Sequence, residues 1–217
     1  MARLPPDSIS HTWGTTLEER QLSYPCDALV PHPDASLYRG IDIQATAEII
    51  FRWLCQMRVA PYSYDWIDNL GRRSPDKLTP GLDQLAVGQD VMTIFDLAAF
   101  VPNQHLTIRI KPGTRAYRVF GDIASTYLLV PKDKNSCRLL VKLVVKYTRE
   151  GPSLMMRNFL PWGDLFMMRR QLLNFKRLAE AVVISAALSA DPTVRATDYS
   201  CSKCPAPISK CLPGVSR

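Results

Sequence analysis

The sequence predicts an α+β fold in which a curved antiparallel β-sheet wraps around one long C-terminal α-helix. Three observations predict it. "HLTIRIK" (105–111) and "CRLLVKLVVKY" (137–147) alternate between apolar and polar positions, which is the strand period of two. "STYLLVP" (125–131) reads as a further strand, and the "PKDKNS" that joins it to the next has hairpin length. From Asp164 to about Ala187, Leu165, Met168, Leu172, Phe175, Ala179, Val182 and Ala186 recur at steps of three and four, the mark of an amphipathic helix. A sheet and a helix with one apolar face each bury those faces against one another. If the sheet curls around the helix, the space between them becomes a cavity.

Each element follows in order. Residues 1–35 are proline-rich and polar, with "TLEERQL" their one helical turn, and are expected to form an extended arm against the domain. "SLYRGIDIQ" (36–44) is a strand with Leu37, Ile41 and Ile43 on one face. "ATAEIIFRWLCQM" is a helix capped by Thr46, with Ile49, Ile50, Trp53, Leu54 and Met57 at helical spacing. "PYSYDWIDNLGRRSP" (61–75) predicts a second short helix from Ser63 to Leu70, stopped by Gly71. "VMTIFDLAAFVP" (91–102) is a strand. In 105–111, Leu106, Ile108 and Ile110 share the apolar face, while His105, Thr107, Arg109 and Lys111 share the polar one. In 137–147, Lys142 and Lys146 lie opposite the apolar side chains, where a solvated face is expected. "PWG" (161–163) breaks whatever precedes the last helix, and Asp164 caps its start. From about Asp191 the chain is polar, proline-containing and aperiodic, which predicts a disordered tail. The expected organisation is an arm (1–35), a folded domain (36–190) and a tail (191–217).

Bulk properties narrow the function. With 217 residues, 47% apolar and 22% charged, the chain can bury a core without disulfide or metal staples. Its net charge of +7 permits an anionic partner. Its basic residues are dispersed through amphipathic segments, so no specific nucleic-acid binding is expected. The start of the chain has no signal-peptide pattern, and the longest uncharged run near the end, Ala181–Ala190, is shorter than the about 20 apolar residues of a membrane span. A cytoplasmic protein with reduced cysteines is expected.

The order strand, two helices, strand meander, long helix resembles the helix-grip fold of the START-like (SRPBCC) superfamily, which includes polyketide cyclases, lipid-transfer domains and plant pathogenesis-related proteins. "HTWGTT", "CQM" (55–57), "YSYDWIDNLGRRSP" (62–75), "LAVGQ" (85–89) and "LPWGDLFMMRRQLLNFKRLAE" (160–180) are similar to motifs of an uncharacterised bacterial subgroup within it. Many members of that subgroup carry a glycine-rich insertion between the "QM" and "YSYD" motifs. Here "RVA" and Pro61 bridge them directly. The resemblance implies a fold and a hydrophobic cavity. It does not imply one reaction, because the superfamily hosts binders, transporters and enzymes.

Candidate chemistry concentrates around that cavity. Tyr62, Tyr64 and Asp65 are placed at its mouth, where a phenol could donate to a ligand carbonyl and a carboxylate act as base, and Trp66 joins them in the candidate ligand-binding set. Phe95 and Tyr127 of the strands and Met168 and Leu172 of the helix complete the candidate ligand-binding set. Met155, Met156 and Met167 flank the start of the helix and suit either a pocket or an irregular core. Helix capping and core packing account for Ser63, Trp66, Ile67, Leu70 and Gly71 without any function.

No catalytic residue is assigned. His105 falls on the polar face, and His11 and His32 are isolated in the arm. Cys201, Cys204 and Cys211 lack a fourth ligand for a structural zinc site, so no metal or other cofactor is expected. There is no phosphate loop, GxSxG or HExxH. The function expected first is binding or carrying a small hydrophobic molecule such as a lipid, polyketide or isoprenoid. The alternatives are a cyclase or dehydratase using Asp65 with Tyr62 or Tyr64, and an interaction protein with a basic docking surface. The sequence leaves the ligand's identity and the oligomeric state open.

Overall fold

The computed structural model describes residues 7–63, 73–148 and 151–190, with the backbone alone for 151–154 and 190. The elements are α1 (Ile9–Thr12), α2 (Leu17–Gln21), α3 (Cys26–Leu29), β1 (Ala35–Ile43), α4 (Ala47–Cys55), β2 (Asp90–Val91), β3 (Phe95–Val101), β4 (His105–Ile110), α5 (Arg115–Phe120), β5 (Asp122–Pro131), β6 (Cys137–Lys146) and α6 (Gly151–Ala190). Residues up to Val183 belong to one compact unit and those from Ile184 onward to a second, of which the described part is the last turns of α6. Among the described residues, no helix is long and apolar enough to cross a membrane.

The strands form one antiparallel sheet in the order β1-β6-β5-β4-β3-β2. The connection from β1 to β6 spans nearly the whole fold, while the other neighbours are sequential. Register puts Arg39, Val141, Tyr127 and Leu106 in one row, and Ile41, Leu139 and Leu129 in the next. These rows share the inner face. The bulge between Leu97 and Ala99 in β3 adds local twist near the far edge. Leu97, Leu106, Ile108, Tyr127, Leu129, Leu139 and Val141 pack in one buried cluster with Met168, Leu172, Phe175, Leu178 and Ala179 of α6 and Ile50, Trp53, Leu54 and Met57 around α4. A curved sheet gripping one long helix is the helix-grip arrangement.

Thr46 caps α4 as its sequence predicts, accepting from the Ile49 amide at 3.4 Å. The predicted second helix, from Ser63 to Leu70, falls mostly outside the described residues, as does the tail from Asp191. The single strand expected over 91–102 is two, β2 and β3. Met92 and Thr93, both with positive φ, turn the chain between them. Helix α5 has no counterpart in the sequence prediction. Thr114 caps it by accepting from the Tyr117 amide, and Gly121 ends it at φ +89°.

Three further differences have clear physical reasons. The arm is not extended: it holds three short helices, of which α1 lies against β1 and α3 covers the outer face of the sheet. Thr16 and Glu19 form a reciprocal capping box at α2. Tyr24, Cys26 and Val30 bury themselves against Ala124, Leu140 and Val144. Second, Lys142 and Thr107 face this layer rather than solvent. Lys142 is 8% exposed, its ammonium 2.6 Å from Asp27 and 5.3 Å from the ring centres of Tyr24 and Tyr38. Thr107 shares a hydroxyl hydrogen bond with Thr126, which also accepts from the Cys26 amide. Third, α6 does not start at Asp164. It runs through Pro161, whose ring forfeits one backbone hydrogen bond while its fixed φ remains helical. The Pro161 carbonyl accepts from Arg39 of β1, so this turn is held by the sheet.

Candidate functional site

The space between β-sheet and α6 is where the structure brings the predicted residues together. Tyr62, Tyr127, Met168 and Leu172 are buried in one cluster, and half-buried Phe95 packs against it. Tyr64, Asp65 and Trp66 lie outside the described residues. Tyr62 adopts a left-handed backbone at φ +57°. Its ring meets the edge of Trp53 at 6.1 Å and tilts against Phe175 at 5.4 Å. The Asn174 amide donates to the Tyr62 carbonyl at 2.7 Å, so α6 itself holds this turn of the "YSYD" motif.

Tyr127 contributes the interior phenol. It donates to Gln171 Oε1 at 2.7 Å and lies 3.8 Å from the Met168 sulfur. Burial pushes its pKa well above the ordinary tyrosine value, with Asp164 adding to the rise, so it stays a neutral donor. Gln171 in turn donates to the Pro61 carbonyl and lies within 4.0 Å of the Met57 and Met92 sulfurs. A single glutamine thus bridges β5, α6 and the segment entering Tyr62. Deeper in the same interior, Ser125 Oγ and Trp53 Nε1 are buried without a hydrogen-bond partner among the described residues.

Two turns earlier on α6, the Asp164 carboxylate meets the Arg39 guanidinium at 2.6 Å. Their side chains are 8% and 1% exposed. Arg39 also donates to the carbonyls of Ser10, Pro161 and Tyr38. Desolvation raises the Asp164 pKa and outweighs the opposing attraction of Arg39. The pair ties α1, β1 and α6 together behind the Tyr127–Gln171 bridge.

Sequence reasoning missed Gln171, Asn174, Arg39 and the pairing of Asp164. A signal was present for Gln171 and Asp164: both interrupt the buried spacing Pro161, Met168, Leu172, Phe175 with a polar group. Polar residues at core-facing helix positions need partners inside. The methionines near the helix start do not act as one lining, because Met155 is 65% exposed while Met168 is buried. Burial lowers the pKa of half-buried His105, and no described carboxylate bonds to it.

A concavity of about 510 Å³ opens at the β1 edge and is lined by His11, Arg20, Ser36, Tyr38, Tyr147 and Arg157 among others. Its arginines are already matched: Arg20 to Asp7 at 2.8 Å and Arg157 to Asp34 at 2.9 Å. Burial and nearby Arg39 lower the His11 pKa. None of the described predicted binding residues lines this cleft.

Comparison with known proteins bears on the fold alone. No family model and no curated protein matches the sequence. Among solved structures, the chain is similar to a START superfamily protein from Mycobacterium smegmatis, with 16% identity and a TM-score of 0.42 over 68% of this chain and 98% of that one. It is also similar to the protein MLL2253 from Mesorhizobium loti, with 14% identity and a TM-score of 0.42 over 67% and 97%. A third similar structure is the di-domain ARO/CYC BexL from the BE-7585A biosynthetic pathway, with 10% identity and a TM-score of 0.41 over 68% of this chain and 47% of that one.

Proposed function

We propose that this protein binds a small hydrophobic molecule between the inner face of its sheet and α6. The observation that carries the reading is the make-up of that interior. Its walls are leucine, isoleucine, valine, methionine and aromatic side chains from the strands, α4 and α6. It holds few polar groups: the Tyr127 phenol bonded to Gln171, and Ser125 Oγ and Trp53 Nε1, buried without a partner among the described residues. Mostly apolar walls with a few placed donors are the usual pattern of a small-molecule site. Affinity would come from apolar burial, and orientation from the phenol exchanging Gln171 for an oxygen of the ligand.

The entrance is expected at the segment from Pro61 through the "YSYD" motif. Gln171 and Asn174 of α6 hold its described start, at the Pro61 and Tyr62 carbonyls. Leu78 and Leu85 of the following loop pack on the same cluster, and Gln56 pins that loop through Thr79 at 2.9 Å.

The test is titration with an apolar fluorophore such as N-phenyl-1-naphthylamine, comparing the wild type with Leu172→Trp. Saturable binding that Leu172→Trp weakens at least tenfold supports the reading. Equal binding by both proteins would place the probe elsewhere and refute it.

A further inference from the structure

Helix α6 is apolar on two opposite sides. Its inner side is the grip. On its outer side Met155, Phe159 and Trp162 are spaced by four and three residues, which sets them on one face. They are 65%, 57% and 49% exposed. Phe166, 53% exposed, continues the spacing. Pro161, Met168, Leu172 and Phe175, turned the other way, are buried. Met155, Phe159 and Trp162 thus present apolar surface to solvent, and water is a poor neighbour for it.

The charges beside the stripe have one sign. Between Met155 and Ala179, α6 carries Arg157, Arg169, Arg170, Lys176 and Arg177 against a single carboxylate, Asp164. That carboxylate is turned inward to Arg39. Arg157 and Lys176 hold local partners, Asp34 and Glu180. Arg169 and Arg177 are exposed, and Arg169 lies 5.8 Å above the Trp13 ring beside the helix.

We propose that this outer face of α6 docks on an anionic lipid surface. Rings of tryptophan and phenylalanine enter the headgroup boundary, and arginines on the flanks meet lipid phosphates. A second copy fits less well. Four side chains of about 200 Å² each, roughly half exposed, offer about 450 Å², short of the about 800 Å² per partner of a stable dimer. Pairing two such faces would also bring like charges together, which a lipid surface avoids. The location is apt for a protein whose other α6 face binds an apolar molecule, but docking does not depend on that reading.

Flotation of the full chain with vesicles tests it. Phosphatidylcholine containing about one quarter phosphatidylglycerol should carry the protein up, and phosphatidylcholine alone should do so far less, with salt reducing the difference. Phe159→Ser with Trp162→Ser should cut the bound fraction at least fivefold, and Arg169→Gln with Arg177→Gln at least threefold. The Phe159/Trp162 variant should melt as the wild type, because those side chains are exposed, and the arginine variant should remain folded, with only the Arg169 contact over the Trp13 ring to lose. Trp162 emission should shift to the blue on anionic vesicles. Three results would overturn the proposal: no flotation of the wild type on anionic vesicles, undiminished flotation of the Phe159/Trp162 variant, or a dimer in sedimentation that this variant abolishes. Apolar-probe binding by the same variants reports separately on the grip.

Discussion

Replacing Asp164 by alanine should be among the most damaging single changes on α6. The carboxylate sits 2.6 Å from Arg39, and the arginine side chain is 1% exposed. Asp164→Ala strands the guanidinium in the interior with only the Ser10, Pro161 and Tyr38 carbonyls as partners. Breaking a buried pair from one side costs about 3–5 kcal/mol. For a domain of this size that lowers Tm by about 6–20 °C. The assay is urea unfolding at neutral pH followed by far-UV circular dichroism, with Arg39→Met/Asp164→Leu as the second variant. The double variant leaves no uncompensated charge and should recover about half the loss or more, the remainder reflecting carbonyls that lose a donor. A cost for Asp164→Ala below about 0.5 kcal/mol, or a double variant no more stable than the single one, would refute the reasoning.

Other expectations concern the arm and the core. Lys142→Met removes the Asp27 pair and the contacts with Tyr24 and Tyr38, at a cost of about 2 kcal/mol, and limited proteolysis should then cut sooner within residues 7–34. Burial opposes the charge on Lys142, yet Asp27 and Tyr38 hold its pKa above the ordinary lysine value. The stability lost in Lys142→Met should therefore be fully evident below pH about 10.4 and vanish as pH rises through the raised value, read from paired unfolding curves. Gly14→Ala should lower the melting temperature, because Gly14 has φ +74° and a Cβ there would strike the Gly40 carbonyl, at a cost above about 1 kcal/mol. Cys26, Cys55 and Cys137 are buried, and burial pushes the thiol pKa of Cys55 up to about 12 and that of Cys137 to about 11. Thiol-reagent labelling followed by mass spectrometry should modify these three only at the rate of unfolding.

The strands and the inner stripe of α6 were legible because burial imposes period two on one and steps of three and four on the other. β4 and β6 fall within a residue of their predicted ranges. Local patterns could not show what covers the outer face. Lys142 and Thr107 look solvent-directed in sequence, and only the fold brings Asp27, Tyr24 and Cys26 over them. Pro161 and Gly163 look like a stop, yet the helix continues, and Arg39, 122 residues earlier, donates to the Pro161 carbonyl in that turn. At the candidate site, Tyr127, Met168 and Leu172 were legible as inward-facing positions. The Tyr127–Gln171–Pro61 bridge was not, since it joins three elements distant in sequence.

Native mass spectrometry of the gently purified chain, followed by solvent extraction, tests the central claim most directly. The account predicts a bound apolar molecule that leaves on extraction and is missing from Leu172→Trp, whose larger indole would take the ligand's place in that interior. A wild-type chain that runs at its bare mass, and that still takes up no apolar compound when offered lipid extract, would contradict it.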